Sequence, residues 1–367
     1  MQRRFPMINV TKAFFPPITE YQAQIQRIWD NQWLTNRGAL VLELEQKLKS
    51  YLNVDNILIT NNGTVPIQIA LKLLGNHGEI ITTPFSYVAT TASIVWENCK
   101  PVFVDIHPEY LTIDETKIEA AITSKTTAIL ATHVFGNPCD VETIAGIAKK
   151  HGLAVIYDAA HAFGTHYKGT SIFDFGDVST CSFHATKLFH TGEGGAVFCN
   201  DKQLMHQIFY SHNFGHNGPL DFHGLGINAK ISELQAAMGL TILPYMEKIL
   251  SDRKQVVTFY DHHLDFSRSR KLRIRENTNW NYSYYPVIFQ DEGTLLKVQK
   301  SLNQNEIFPR RYFYPSLNTI EYTNGGAMPV SESIASSILC LPLYSGLEEI
   351  ETRRICDIIN TCLLQLN

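Results

Sequence analysis

Lys187 sits between Ser182-Phe183-His184-Ala185-Thr186 and the glycine-rich turn Gly192-Glu193-Gly194-Gly195. Most lysines are solvated surface charges, but one held between a polar-aromatic strand end and a glycine turn reads as a reactive amine. The apolar run Leu153-Ala154-Val155-Ile156-Tyr157 reads as a buried strand that ends on Asp158, followed by Ala159-Ala160-His161. An aspartate at a strand end ordinarily caps a helix or a turn. Paired with a lysine in the same kind of position it suits one cofactor. Pyridoxal phosphate needs a lysine for its Schiff base and a carboxylate that keeps its pyridine nitrogen protonated, so that the ring can act as an electron sink.

Two further segments fit that chemistry. Asn61-Asn62-Gly63-Thr64 follows the apolar run Ile57-Leu58-Ile59 and precedes a helix-like stretch bearing Ile67, Ala70, Leu71 and Leu74. The first N–H groups of a helix are unsatisfied, the helix dipole adds to their pull, and glycine lets a phosphate come close to the backbone. Such a turn alone more often merely caps its helix. Asn62-Gly63-Thr64 and Asn281-Tyr282-Ser283 also spell glycosylation sequons, a reading that requires secretion. The second segment, Thr83-Pro84-Phe85-Ser86-Tyr87-Val88-Ala89-Thr90, follows the short strand Ile80-Ile81-Thr82. Its aromatic rings either pack the core or offer a flat face to a planar cofactor, and Tyr87 is the candidate for the latter.

These motifs together resemble the DegT/DnrJ/EryC1/StrS sugar aminotransferases, within the fold type I pyridoxal-phosphate enzymes. The resemblance runs from Trp33-Leu34-Thr35-Asn36 to Arg310-Arg311-Tyr312-Phe313-Tyr314-Pro315. It implies that Lys187 carries the cofactor, Asp158 pairs with the pyridine nitrogen, Tyr87 stacks on the ring, and Gly63, Thr64 and Ser182 hold the phosphate. It places His161 near the ring hydroxyl, and Trp33, Thr35, Asn36, His184, Arg310, Arg311 and Tyr312 around the substrate. Arg310 and Arg311 would suit a diphosphate, because the guanidinium fork matches phosphate oxygens. Asn228, in Gly226-Ile227-Asn228-Ala229-Lys230, matches a residue that reaches the phosphate of a neighbouring subunit, implying a homodimer with shared active sites. Relatives with histidine in place of the lysine dehydrate their sugars, so Lys187 points to transamination. The implied reaction moves an amino group from L-glutamate to a nucleotide-linked ketosugar. The Trp33–Asn36 and Arg310–Pro315 segments resemble enzymes that aminate C4 of dTDP-4-keto-6-deoxy-D-glucose, whose product is an O-antigen precursor. A 3-keto nucleotide sugar, or a non-catalytic regulator that binds cofactor and sugar, is the alternative.

The elements that must position these residues alternate. From about residue 39 to about 200, apolar strands interleave with helical patterns such as Leu40, Val41, Leu44, Leu48 and Leu52, and again 114–122 and 141–148. Alternation of this kind predicts an α/β fold with a mostly parallel central sheet flanked by helices, ligands gathering at the carboxyl ends of the strands. A long helix is expected from Ile231 to about Phe259. The basic stretch Arg268 to Arg275 reads as a linker or edge, and Tyr282 to Phe289 opens a smaller C-terminal α+β domain. The expected division is a large cofactor-binding domain over 1–250 and a small one over 251–367. A Rossmann-type oxidoreductase would alternate likewise, but it needs G-x-G-x-x-G where this chain has Asn61-Asn62-Gly63-Thr64.

Composition narrows the class. The 367 residues are 44% hydrophobic and 18% charged, ample for a large core. A net charge of -4 gives no basic footprint for nucleic acid. No run reaches the roughly 18 apolar residues of a membrane span, and Arg3 and Arg4 are followed by no apolar stretch that would make a secretory signal. Cys99, Cys139, Cys181, Cys199, Cys340, Cys356 and Cys362 are scattered without a C-x-x-C pair, which reads as free thiols in a reducing, cytoplasmic setting. His262-His263 and the His206/His212/His216 group have no spacing that would close a ligand set, so no metal is expected.

Overall fold

The computed structural model describes residues 7–365; Arg3 and Arg4 lie outside the described residues. Seven strands form the main sheet: β1 Leu58–Thr60, β2 Glu79–Thr82, β3 Lys100–Phe103, β4 Thr126–Thr132, β5 Ala154–Asp158, β6 Val178–Ser182 and β7 Gly195–Phe198. Their order is β1-β7-β6-β5-β4-β2-β3. The neighbours β6, β5, β4, β2 and β3 run parallel, while β7 lies antiparallel between β1 and β6.

Alternation along each strand sends successive side chains to opposite faces, and both faces are covered. Ile59, Ile129, Ala131, Val155 and Tyr157 enter one core with Leu40, Leu44 and Leu48 of helix α1 Ala39–Leu52. Leu58, Ala128, Leu130 and Ile156 enter the other, against Ile67, Ala70 and Leu71 of α2 Val65–Leu74. Each fully buried Ile or Leu contributes about 1.5–3 kcal/mol of transfer free energy, which makes the sheet a stiff support for the loops at its carboxyl edge.

Several expected elements are refined. The helix expected from Ile231 to Phe259 is two, α3 Glu233–Ile242 and α4 Met246–His263, separated by a 3-10 turn at Leu243–Tyr245. Pro244 explains the break, since it lacks an N–H and its ring crowds the preceding turn. The 114–122 pattern forms only the single turn Glu115–Ile118 and a 3-10 turn, with Asp114 as its cap.

The C-terminal part builds a three-stranded antiparallel sheet from Ser269–Lys271, Tyr285–Phe289 and Ile338–Leu341. The basic stretch thus supplies an edge strand. Around this sheet packs a separate core of Val257, Tyr260, Val287, Leu339, Ile355 and Ile359, among others. Ile8 joins it, because Ile8–Asn9 pairs in parallel with Ile307–Phe308. The boundary expected at 250/251 falls inside α4, whose outer half belongs to this second core.

Candidate active site

Asp158 closes β5, and the residue is 5% exposed. Thr90 Oγ1 donates to Asp158 Oδ2 at 2.6 Å and the Ala160 N–H donates to Oδ1 at 3.1 Å. Burial pushes this carboxyl above its ordinary value, opposed by the Thr90 hydroxyl, the Ala160 N–H and the charge of Lys187. Lys187 leaves the loop after β6, half-buried, and donates to Tyr284 Oη at 3.5 Å. Burial lowers its ammonium below the usual lysine value, more than Asp158 raises it, so a neutral amine is more accessible. Both residues line one cavity of about 350 Å³ at the carboxyl edge of the sheet.

His161 is buried in a stack of rings, 5.5 Å from Phe313 and 6.1 Å from Phe135, both within 11° of parallel. Its Nδ1 accepts the Phe135 N–H at 3.1 Å, which puts the proton of the neutral ring on Nε2. Burial, then the charge of Lys187, holds this imidazole well below the ordinary histidine value, so it stays neutral. Tyr87, 58% exposed, caps the Val88–Trp96 helix and lines the same cavity, 6.4 Å from Phe313.

Part of the cavity wall is polar. Gly63, Thr64 and Ser182 line it together, brought there by β7: Gly195 pairs with Thr60 on one side and Ser182 on the other. A Cβ on Gly63 would stand 2.7 Å from Ser182 Cβ, and one on Gly195 would stand 2.3 Å from the Asn62 carbonyl oxygen, so both crossings need glycine. The Thr64 and Val65 N–H groups donate to Asn62 Oδ1, each at 2.8 Å. Asn62 therefore takes up two of the first-turn donors expected for an anion, and the hydroxyls of Thr64 and Ser182 with the Gly63 N–H remain for it. An anionic tail at this part of the wall, a ring against His161 and Tyr87, and a ring nitrogen toward Asp158 match the donor set present, so these residues fit pyridoxal phosphate.

The expected substrate residues divide. Arg310, Tyr312 and His184 line the cavity. Arg310 is exposed and is positioned by a two-way backbone pairing with Cys340. Arg311 does not line it: its guanidinium donates to Glu292 at 2.7 Å and to the Ser336 carbonyl, and lies 3.6 Å over Tyr314. The Tyr312 N–H donates to the Arg310 carbonyl at 3.1 Å, a tight turn around Arg311, and the Glu292 and Ser336 contacts hold its guanidinium away from the cavity that Arg310 lines. Trp33, Thr35 and Asn36 are exposed and absent from the cavity wall, their segment pinned by the Glu233 N–H to the Leu34 carbonyl at 2.9 Å. Asn228 is likewise exposed; its carbonyl accepts from Asn61 Nδ2 at 3.3 Å, and it caps no helix, since the next begins at Glu233 with Ser232 as cap.

None of Thr90, Ser86, Thr132, Tyr284 and Phe313 is singled out as a site residue by the motifs, and all but Thr90 line the cavity. The serine and threonine at i and i+4 around the start of a helix were the available signal for the first two. The sequon at Asn281 is inaccessible: the residue is 2% exposed and its amide donates to the His161 and Phe163 carbonyls. The cysteines are free, six buried and Cys362 partly so. Among the described residues no His, Cys, Asp and Glu cluster could hold a metal, and no helix is long and apolar enough to cross a membrane.

A lysine and an aspartate in one cleft at the carboxyl edge of a mostly parallel α/β sheet define a fold type I transferase. Residues 18–360 match the model of the DegT/DnrJ/EryC1/StrS aminotransferase family, and the chain belongs to that family and is an aminotransferase. It is 42% identical over 347 residues to a dTDP-4-amino-4,6-dideoxy-D-glucose transaminase of Shigella dysenteriae, covering 93% of this chain and 95% of that one. The corresponding Escherichia coli transaminase is 39% identical over 352 residues, with the same coverage. Among solved structures, DesI in the presence of its TDP-sugar product superposes with a TM-score of 0.92 at 31% identity, covering 98% of this chain and 94% of that one.

Proposed function

We propose that this chain transfers the amino group of L-glutamate to C4 of dTDP-4-keto-6-deoxy-D-glucose, giving dTDP-4-amino-4,6-dideoxy-D-glucose. The convergence of Lys187 and Asp158 on one cavity, with Arg310 and Tyr312 at its wall, carries this reading. The relatives named above support the sugar and the position aminated.

Bound against Asp158, His161 and the Gly63–Ser182 end, pyridoxal phosphate supplies an electron sink and stores the amino group between two half-reactions. Lys187, made less basic by burial, takes the α-proton of the amino donor and in the other half-reaction delivers a proton to the sugar carbon. Asp158 holds negative charge at the end of β5, where it favours a protonated ring nitrogen. His161, neutral with its proton on Nε2, donates a hydrogen bond without adding charge. Arg310 offers its guanidinium to the diphosphate of the substrate, and the buried rings of Tyr284 and Phe313 keep water from the reacting carbon.

We further assign the active unit as a homodimer with shared sites. Asn228 lies on an exposed loop that also exposes Phe214, Leu220, Phe222, Leu225 and Ile227, an apolar set that a second copy would cover. Trp33, Thr35 and Asn36, which stand clear of their own cavity, are available to the partner's.

Incubating the purified protein with pyridoxal phosphate, L-glutamate and dTDP-4-keto-6-deoxy-D-glucose tests the reaction. The expected product is a dTDP-aminosugar whose NMR spectrum places nitrogen on C4. Formation of an amine only from a 3-keto nucleotide sugar, or from none, overturns the assignment.

A further inference from the structure

Asp158 stands at the end of a chain of buried hydroxyls. Thr132 is its register partner on β4. Thr132 Oγ1 donates to Ser86 Oγ at 3.2 Å, Ser86 and Thr90 are joined at 2.7 Å, and Thr90 Oγ1 donates to Asp158 Oδ2 at 2.6 Å. Thr132, Ser86 and Thr90 are 3%, 2% and 0% exposed. A hydroxyl has one proton to give. Because Thr90 gives its own to Asp158, Ser86 must donate to Thr90, and Thr132 must donate to Ser86. The direction of every bond is therefore set by the carboxylate, which as an anion can only accept.

We propose that Thr132, Ser86 and Thr90 are positioning residues that form a one-way hydroxyl relay, holding Asp158 ionised so that the shared proton stays on the ring nitrogen of bound pyridoxal phosphate. A carboxyl and a pyridine facing each other share one proton, which sits on nitrogen only while the carboxylate–pyridinium pair is better stabilised than the neutral acid and neutral pyridine. Burial removes water from Asp158, and the relay replaces it with donors aligned end to end, each polarising the next. The Ala160 N–H on Oδ1 and the charge of Lys187 act in the same direction, and neutral His161 does not oppose them.

The test reads the proton itself. Holoenzyme loaded with pyridoxal phosphate labelled with 15N in the ring is titrated by NMR, alongside Thr90→Val, Thr90→Ser, Ser86→Ala and Thr132→Val. Removing the Thr90 hydroxyl should lower the midpoint of ring-nitrogen proton loss by about one pH unit, a tenfold change. Thr90→Ser should restore it, and Thr132→Val should shift it in the same direction by less. Ser86→Ala, which deletes one oxygen atom, reports the middle link should the valine variant fail to fold. A midpoint unmoved in Thr90→Val or Ser86→Ala, or equal effects of Thr90→Ser and Thr90→Val, overturns the relay. The readout is independent of turnover, so an error in the sugar assignment would leave it unchanged.

Discussion

Replacing Gly63 with alanine would put a Cβ 2.7 Å from Ser182 Cβ, 2.9 Å from Ser182 Cα and 3.3 Å from the Cys181 carbonyl oxygen. Two of these neighbours are backbone atoms of β6, held in the sheet by Gly195 and unable to rotate away. The backbone at Gly63 is not left-handed, so the cost is steric and not conformational. Overpacking of this kind costs about 1–3 kcal/mol. Relief requires β6 and the Asn62–Thr64 turn to part, which also separates the Ser182 hydroxyl from the Gly63 and Thr64 donors. Losing one charge-assisted hydrogen bond to a phosphate costs about 1.5–3 kcal/mol, so pyridoxal phosphate should bind roughly 10- to 150-fold more weakly. Denaturant melts of the apoprotein measure the first quantity and fluorescence titration with cofactor the second. Gly146→Ala is the control: it lies inside the Val141–His151 helix with nothing within 4 Å of its would-be Cβ, and it should stabilise by about 0.5–1 kcal/mol without touching affinity. If Gly63→Ala melts like wild type and binds cofactor equally well, Gly63 and Ser182 do not form the phosphate end of this site.

Lys187→Ala should keep the far-UV circular dichroism of the parent but lose turnover by roughly 10²–10⁴-fold or more, and borohydride should no longer fix pyridoxal phosphate to the chain; transamination near the parent's rate would remove Lys187 from the chemistry. The rate at which apoprotein captures pyridoxal phosphate at Lys187, read by mass spectrometry after borohydride, should rise with pH to a midpoint below the ordinary lysine value of 10.5. Asp158→Asn deletes a carboxylate that favours the ammonium, so it should move that midpoint further down; an upward move contradicts the assignment. Mixing Lys187→Ala chains with Asn228→Asp chains, each expected to be inactive alone, should recover about a quarter of wild-type activity, since half the dimers are mixed and one of their two sites is intact; no recovery after subunit exchange would mean that each chain's Asn228 serves its own site, and an active Asn228→Asp homodimer would mean that it serves none.

The chemistry of this chain is legible in its sequence where the residues that carry it are neighbours along the chain. The strand ending on Asp158, the Asn61–Thr64 turn and the loop carrying Lys187 are contiguous motifs, and hydrophobic alternation over 39–200 identified the α/β sheet whose carboxyl edge they share. Proline at 244 is equally local, yet the apolar pattern continues across it and masks the break in the long helix. What periodicity cannot carry is which distant segments become neighbours. The antiparallel insertion of β7 places Gly195 against both Thr60 and Ser182, and only that pairing turns a glycine turn and a serine into one anion pocket. The register of β4 against β5 sets Thr132 beside Asp158, and the return of the small sheet delivers Tyr284 to Lys187 and brings the exposed Arg310 to the cavity wall while Arg311 is taken by Glu292. Residue types and short spacings express the chemistry a chain can do, because a nucleophile, its turn and its strand are covalent neighbours. Tertiary pairing decides which donors, rings and charges surround that nucleophile, because hydrogen-bond register and side-chain alternation act across segments that the sequence holds far apart.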